Sequence, residues 1–239
     1  MFNTSSSKRS KLFGVARALI LIAGFCLAYP PRQGATAPLF ISAHVTSASD
    51  IPYPPQTIAI GTVVLEVTVT ETGKVESVLP IRGIDTLTQV ASDSVKTWHF
   101  SPASLDGKPV RSRTTVAVTF NPAAIPAANV PLPPLSSKAN SRDDSVPPHP
   151  ADVLAAAFPQ YPVNSVAAGT VVLRVTVDET GKVARTTAVR RIPALTSPAI
   201  RSLEGWSFAS ASFDGKPVRS SVALAFIFRL PLPGPAVSP

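Results

Sequence analysis

Cysteine is nearly missing from this 239-residue chain, where Cys26 is the only one. A single thiol builds neither a disulfide framework nor a thiolate metal site. Histidine is as sparse: His44, His99 and His149 stand far apart, without acidic companions at metal-ligand spacing. Acid is in short supply, with 14 Asp and Glu against 22 Lys and Arg, for a formal charge of +8. The excess is not gathered into a Lys/Arg cluster with interleaved aromatics, so no nucleic-acid partner is expected. Neither G-x-G-x-x-G nor G-x-x-x-x-G-K-[ST] is present. No nucleophile–base pair stands out, so the chain is not expected to be an enzyme or to hold a cofactor or metal.

Apolar length is limited too. The run Ala18 to Tyr29 has 12 residues, short of the ~20 that a bilayer-spanning helix needs. Lys8, Arg9 and Lys11 precede it, and Pro30 and Pro31 close it. Positive charge ahead of such a run keeps the N-terminus in the cytoplasm. Residues 1–30 therefore read as a secretory signal peptide, with Ala35-Thr36-Ala37 offering a small-x-small site. Or they are a retained membrane anchor, if Leu12 to Tyr29 spans and Arg17 snorkels. Both readings place the rest of the chain in the periplasm. Phe25 before Cys26 argues against lipidation.

What the chain does have is repetition. The stretch from Tyr53 to Phe120 returns without a gap as Tyr161 to Phe228. The offset is a constant 108 residues, from Gly61 to Gly169, Trp98 to Trp206 and Asp106 to Asp214. The expected organisation is two small tandem domains, 53–120 and 161–228, like beads on a string. A Pro-containing lead (31–52) precedes them, a Pro-rich spacer (121–160) separates them, and a frayed tail (229–239) closes the chain. A brief helix is expected over Val153 to Phe158. Domains this small bury little core, which leaves a homodimer or domain swap open.

Each copy reads the same way. Val63, Leu65, Val67 and Val69 alternate with more polar residues, as do Val171, Leu173, Val175 and Val177, the period of a half-buried strand. Gly73 and Gly181 in E-T-G-K mark a hairpin turn into a second strand. Leu87, Val90, Ala91, Ser94, Val95 and Trp98 form one helical face, with Asp85 or Thr86 as N-cap. In the second copy Pro198 and Gly205 predict a shorter helix. D-G-K-P-V at Asp106 and Asp214 turns into a last strand. Trp98 and Trp206 read as core plugs. The expected fold is α+β, each domain being a three-stranded antiparallel sheet with one helix packed on it.

A three-stranded sheet has two free edges, and a free edge invites another strand. The outward residues of the last strand differ between copies. Arg111, Arg113, Thr115, Ala117 and Thr119 stand in the first, against apolar Ala223, Ala225 and Ile227 in the second.

The order Tyr-Pro, G-T-V-V-L-x-V-T-V-x-E-T-G-K-V, a helix ending W-x-F, D-G-K-P-V-R and an alternating strand ending in Phe resembles the C-terminal domain of TonB-family energy transducers. The first copy keeps Phe100-Ser101-Pro102-Ala103, like the family's F-x-P-A; the second has Ala209-Ser210-Ala211. The resemblance implies a periplasmic domain whose edge strand pairs with a receptor peptide, the TonB box, of outer-membrane transporters. It also implies force passed on from an inner-membrane ExbB–ExbD-like complex. Carried onto this chain, the recognition edges are Val116, Ala117, Val118, Thr119 and Phe120, with Val222, Ala223, Leu224, Ala225, Phe226, Ile227 and Phe228. The alternative is a soluble periplasmic structural or peptide-binding tandem-domain protein without energy transduction.

Overall fold

The alternating valines form two equal hairpins in a computed structural model that describes residues 39–229, apart from 56, 123–128, 131, 142, 144 and 164. The expected signal or anchor, and the tail beyond Arg229, lie outside the described residues. The first copy runs β1 (Phe40–Ile41), β2 (His44–Ser47), β3 (Gly61–Val69), β4 (Val75–Arg82), α1 (Asp85–Val95), β5 (His99–Ser101), β6 (Ala103–Leu105), β7 (Lys108–Val110) and β8 (Ser112–Pro122). A two-residue strand, β9 (Asn129–Val130), comes next. The second copy runs β10 (Asp152–Ala157), β11 (Gly169–Val177), β12 (Val183–Arg190), α2 (Pro193–Arg201), β13 (Ser207–Ala209), β14 (Ala211–Phe213), β15 (Lys216–Val218) and β16 (Ser220–Arg229).

The β3–β4 and β11–β12 turns need glycine on two counts. Gly73 has φ +81° and Gly181 φ +85°, and an added Cβ would sit 2.1 Å from the Phe100 carbonyl oxygen or 2.4 Å from that of Phe208. The helices start differently from expectation. Neither Asp85 nor Thr86 caps α1. Ile84 is the N-cap residue, its N–H donates to Thr88 Oγ1 (2.8 Å), and the same hydroxyl donates to the Ile84 carbonyl (2.8 Å). Thr196 and Ile192 repeat the device in α2. Helix α2 has nine residues against eleven in α1 and passes into a 3-10 turn at Ser202–Gly205. Trp98 and Trp206 are buried, as core plugs should be.

The two copies are not separate beads. Each supplies three strands, but these join in one six-stranded sheet of order β12-β11-β16-β8-β3-β4. Within each copy the pairs are antiparallel; at the junction β8 and β16 run parallel, with Val222 opposite Thr115 and Ile227 opposite Phe120. Successive strand residues point to opposite faces. Leu87, Ala91 and Val95 of α1 share a core with Val116, Val118 and Phe120, and also with Ala223, Ala225 and Ile227. Leu195, Ala199 and Leu203 share theirs with Val222, Leu224, Phe226 and Phe228, and also with Val64 and Ala117. The helices therefore lie on opposite faces, the relation that a two-fold axis parallel to the central strands produces.

Opposite helices leave each copy's outward face to be covered by the other, and two straps do this. The lead expected to be a linker contains β1 and β2. Strand β2 pairs with β5 of its own copy, and Ala43, Val45 and Ile51 then pack on Val172, Ala223, Ala225 and Ile227. The segment 152–157 is strand β10 rather than the expected helix. It pairs with β13, and Ala151, Val153, Ala156 and Ala157 join the core that holds Val64, Ile81 and Ala117. Its alternation of buried Val153 with exposed Asp152 and Leu154 is that of a strand, and tertiary pairing overrides the helix preference of Leu-Ala-Ala-Ala. The described part of 121–160 is thus packed structure and not an open polyproline spacer. Phe40 and Phe213 stack across the copies with ring centroids 5.0 Å apart.

Candidate functional site

Every residue assigned from sequence to a recognition edge lies in the middle of the sheet. Val116, Ala117, Val118, Thr119 and Phe120 are buried, as are Val222, Ala223, Leu224, Ala225, Phe226, Ile227 and Phe228. Neither strand is a free edge, because β8 has β3 on one side and β16 on the other, and β16 has β11 and β8. The structure brings the two candidate sites together and pairs them with each other. The apolar outward residues of β16 are what the junction requires: a strand with both neighbours present and both faces covered reads as nearly continuous apolar sequence.

Polar groups fasten the straps across this seam. Thr115 Oγ1 donates to the Ala151 carbonyl (2.6 Å), and Asn121 Nδ2 donates to that of Pro159 (2.8 Å). On the other face, the Ile51 N–H donates to Thr170 Oγ1 and the Thr170 N–H donates to Asp50 Oδ1, each at 2.9 Å. Asp50 also meets Arg190 at 3.2 Å. Under the second strap, Arg113 and Glu66 form an ion pair at 3.3 Å, with side chains 1 % and 5 % exposed. Arg113 also reaches His149 Nδ1 at 3.3 Å. In the first strap, burial holds the His44 pKa below its ordinary value, and the nearby Arg174 pushes it the same way.

These contacts hold the strands and straps together. No group of three or more His, Cys, Asp and Glu fit to hold a metal occurs among the described residues. The Arg111 guanidinium hydrogen-bonds Glu76 and keeps its pKa low.

Sequence reasoning missed the straps and the true sheet edges. A trace of the straps is visible in the sequence, since Ala43-His44-Val45 and Ala151-Asp152-Val153 keep the same offset of 108. The real edges are β4 and β12.

A small strand–hairpin–helix–strand unit, used twice, with a glycine turn and an aromatic plug in each copy, is a specific combination. Residues 52–122 and 155–230 each match the family described as Gram-negative bacterial TonB protein C-terminal. The chain belongs to this family. It carries the TonB C-terminal domain as two tandem copies, over more than half of its length. TonB-family proteins are envelope proteins, and the TonB C-terminal domain acts through protein–protein contact. No curated protein and no solved structure matches the chain. No helix among the described residues is long and apolar enough to cross a membrane.

Proposed function

We propose that this TonB-family protein works in the periplasm, where its two C-terminal domains contact outer-membrane transporters or other envelope partners in energy-coupled transport. The observation that carries the reading is the double match to the TonB C-terminal domain. The basic and apolar N-terminal segment supports it, because an anchor there would tether the domains to an inner-membrane ExbB–ExbD-like complex. Capture of a receptor peptide along Val116 to Phe120 or Val222 to Phe228 would require the β8–β16 seam to part. The closed seam would then be the resting state of the pair.

One observation favours a second reading. With β8 and β16 spent on each other, the tandem copies make a self-contained module suited to a structural or peptide-binding role in the periplasm, without force transduction. The N-terminus of the protein isolated from cells, determined by mass spectrometry, separates the two. An intact N-terminus in the membrane fraction is the outcome expected for energy coupling. Cleavage between Ala28 and Pro38 would remove the tether and leave only the second reading.

A further inference from the structure

The two outer edges of the sheet are built differently. In the first copy β4 is blunted. Pro80 lies in it, Arg82 bridges to Leu135, the Ser136 N–H donates to the Ile81 carbonyl (2.7 Å), and Arg82 Nη1 donates to the Pro133 carbonyl (2.8 Å). In the second copy Ala188 stands where the first has Pro80, and no described residue pairs with the outer side of β12. Proline is accommodated in an edge strand where its nitrogen faces away from the neighbouring strand. Pro80 thus marks an outward-facing position, and Ala188 restores the donor there. Thr186, two residues back, repeats the orientation.

This open edge is also basic. Cross-strand partners share a face. Arg190 opposes Val172, Thr187 opposes Arg174 and Arg185 opposes Thr176. Arg174, Arg185 and Arg190 therefore line one face of β11 and β12. Only Arg190 has a carboxylate partner, Asp50; Arg174 and Arg185 make no ion pair among the described residues. The nearby Asp178 is occupied in its own turn by Thr180 and Lys182. The first copy has Glu66, Ser77 and Arg82 at the matching positions, so the three-arginine face belongs to the second copy alone. Charge along an edge repels a second copy of the same edge, which leaves a strand of opposite charge as the fitting occupant.

We propose that β12 is a docking edge that takes an extended, acidic segment of a partner protein as a seventh strand, its carboxylates on the face of Arg174, Arg185 and Arg190. The inference does not depend on energy coupling, nor on opening the β8–β16 seam. Backbone groups at Ala188 and Thr186 supply the ladder, and the arginines select for acid at alternate positions.

The test uses the full chain and two blocked peptides, one alternating glutamate with valine and one alternating lysine with valine. Binding is read by fluorescence anisotropy and by backbone amide shifts. The glutamate peptide should bind, more weakly as salt rises, and should move the β12 amides; the lysine peptide should not bind. Ala188→Pro copies the first copy's own residue and should weaken binding roughly five- to tenfold by deleting one ladder donor. Arg185→Glu should weaken the glutamate peptide and admit the lysine peptide. The proposal is overturned by no binding of the glutamate peptide, by equal binding of both peptides, or by binding indifferent to both substitutions. Self-association of the chain through β12, read by sedimentation, would overturn it as well.

Discussion

Arg113 illustrates how much one position can differ between two copies of a fold. Its counterpart is Ser221, and the counterpart of its partner Glu66 is Arg174. In the first copy the pair is buried beneath the second strap at 3.3 Å; in the second copy Arg174 makes no ion pair among the described residues. Removing one partner of a buried pair strands the other charge in a poorly solvated place. Arg113→Ala should therefore destabilise the protein by about 3–5 kcal/mol, measured by urea unfolding. A far smaller loss is expected for Arg111→Ala, whose pair with Glu76 is solvent-exposed on both sides. Equal effects of the two substitutions would refute a buried electrostatic role for Arg113. Alternation identified Arg113 as outward-facing; it held no information about the strap that buries it.

The straps, β2 and β10, are the elements that turn two copies into one body. Each pairs with a strand of its own copy and covers the outward face of the other. His44 lies in the first strap, where burial and then Arg174 disfavour its charged form. Its folded pKa is below that of the unfolded chain, so the unfolded state takes up the proton first. The stability that neutral His44 allows is complete above the unfolded pKa of about 6.5 and is lost as pH falls through that value toward the lower folded one. His44→Gln should flatten this part of the pH dependence. Thermal unfolding of wild type and variant between about pH 8 and pH 5 checks it; parallel curves would rule out His44 as the source. The same element scale explains why the straps escaped sequence reading. Strand β2 has four residues, too few for a period to declare itself.

At the scale of the whole molecule, neither copy has a complete core alone. Without the first copy, Val172, Ala223, Ala225 and Ile227 would face water; without the second, Val64, Ile81 and Ala117 would. The described residues should consequently unfold in one cooperative transition, with tryptophan fluorescence and circular dichroism giving coincident midpoints. A fragment beginning at residue 151 should be unfolded or should self-associate. Two resolved transitions, or a stable monomeric fragment, would mean that the copies are independent after all. Opening of the seam is measurable on the same protein: if the closed sheet persists, amides of β8 and β16 exchange hydrogen among the slowest in the chain.

The hairpins, the glycine turns, the helix in each copy and the aromatic plugs were all legible from the sequence, because each depends on neighbours a few residues away. Gly73 and Gly181 had to be glycine, and the valines of β3 and β11 had to alternate, whatever surrounded them. The family emerged from the same local pattern. Only the tertiary structure decided that β8 pairs with β16, that the straps cross over, and that β12 is the open edge. Backbone donors and acceptors are the same for every residue but proline, so side chains do not name the strand that will satisfy them. Ala223, Ala225 and Ile227 required a cover, and the other half of the chain, held close at high effective concentration, was there to provide it.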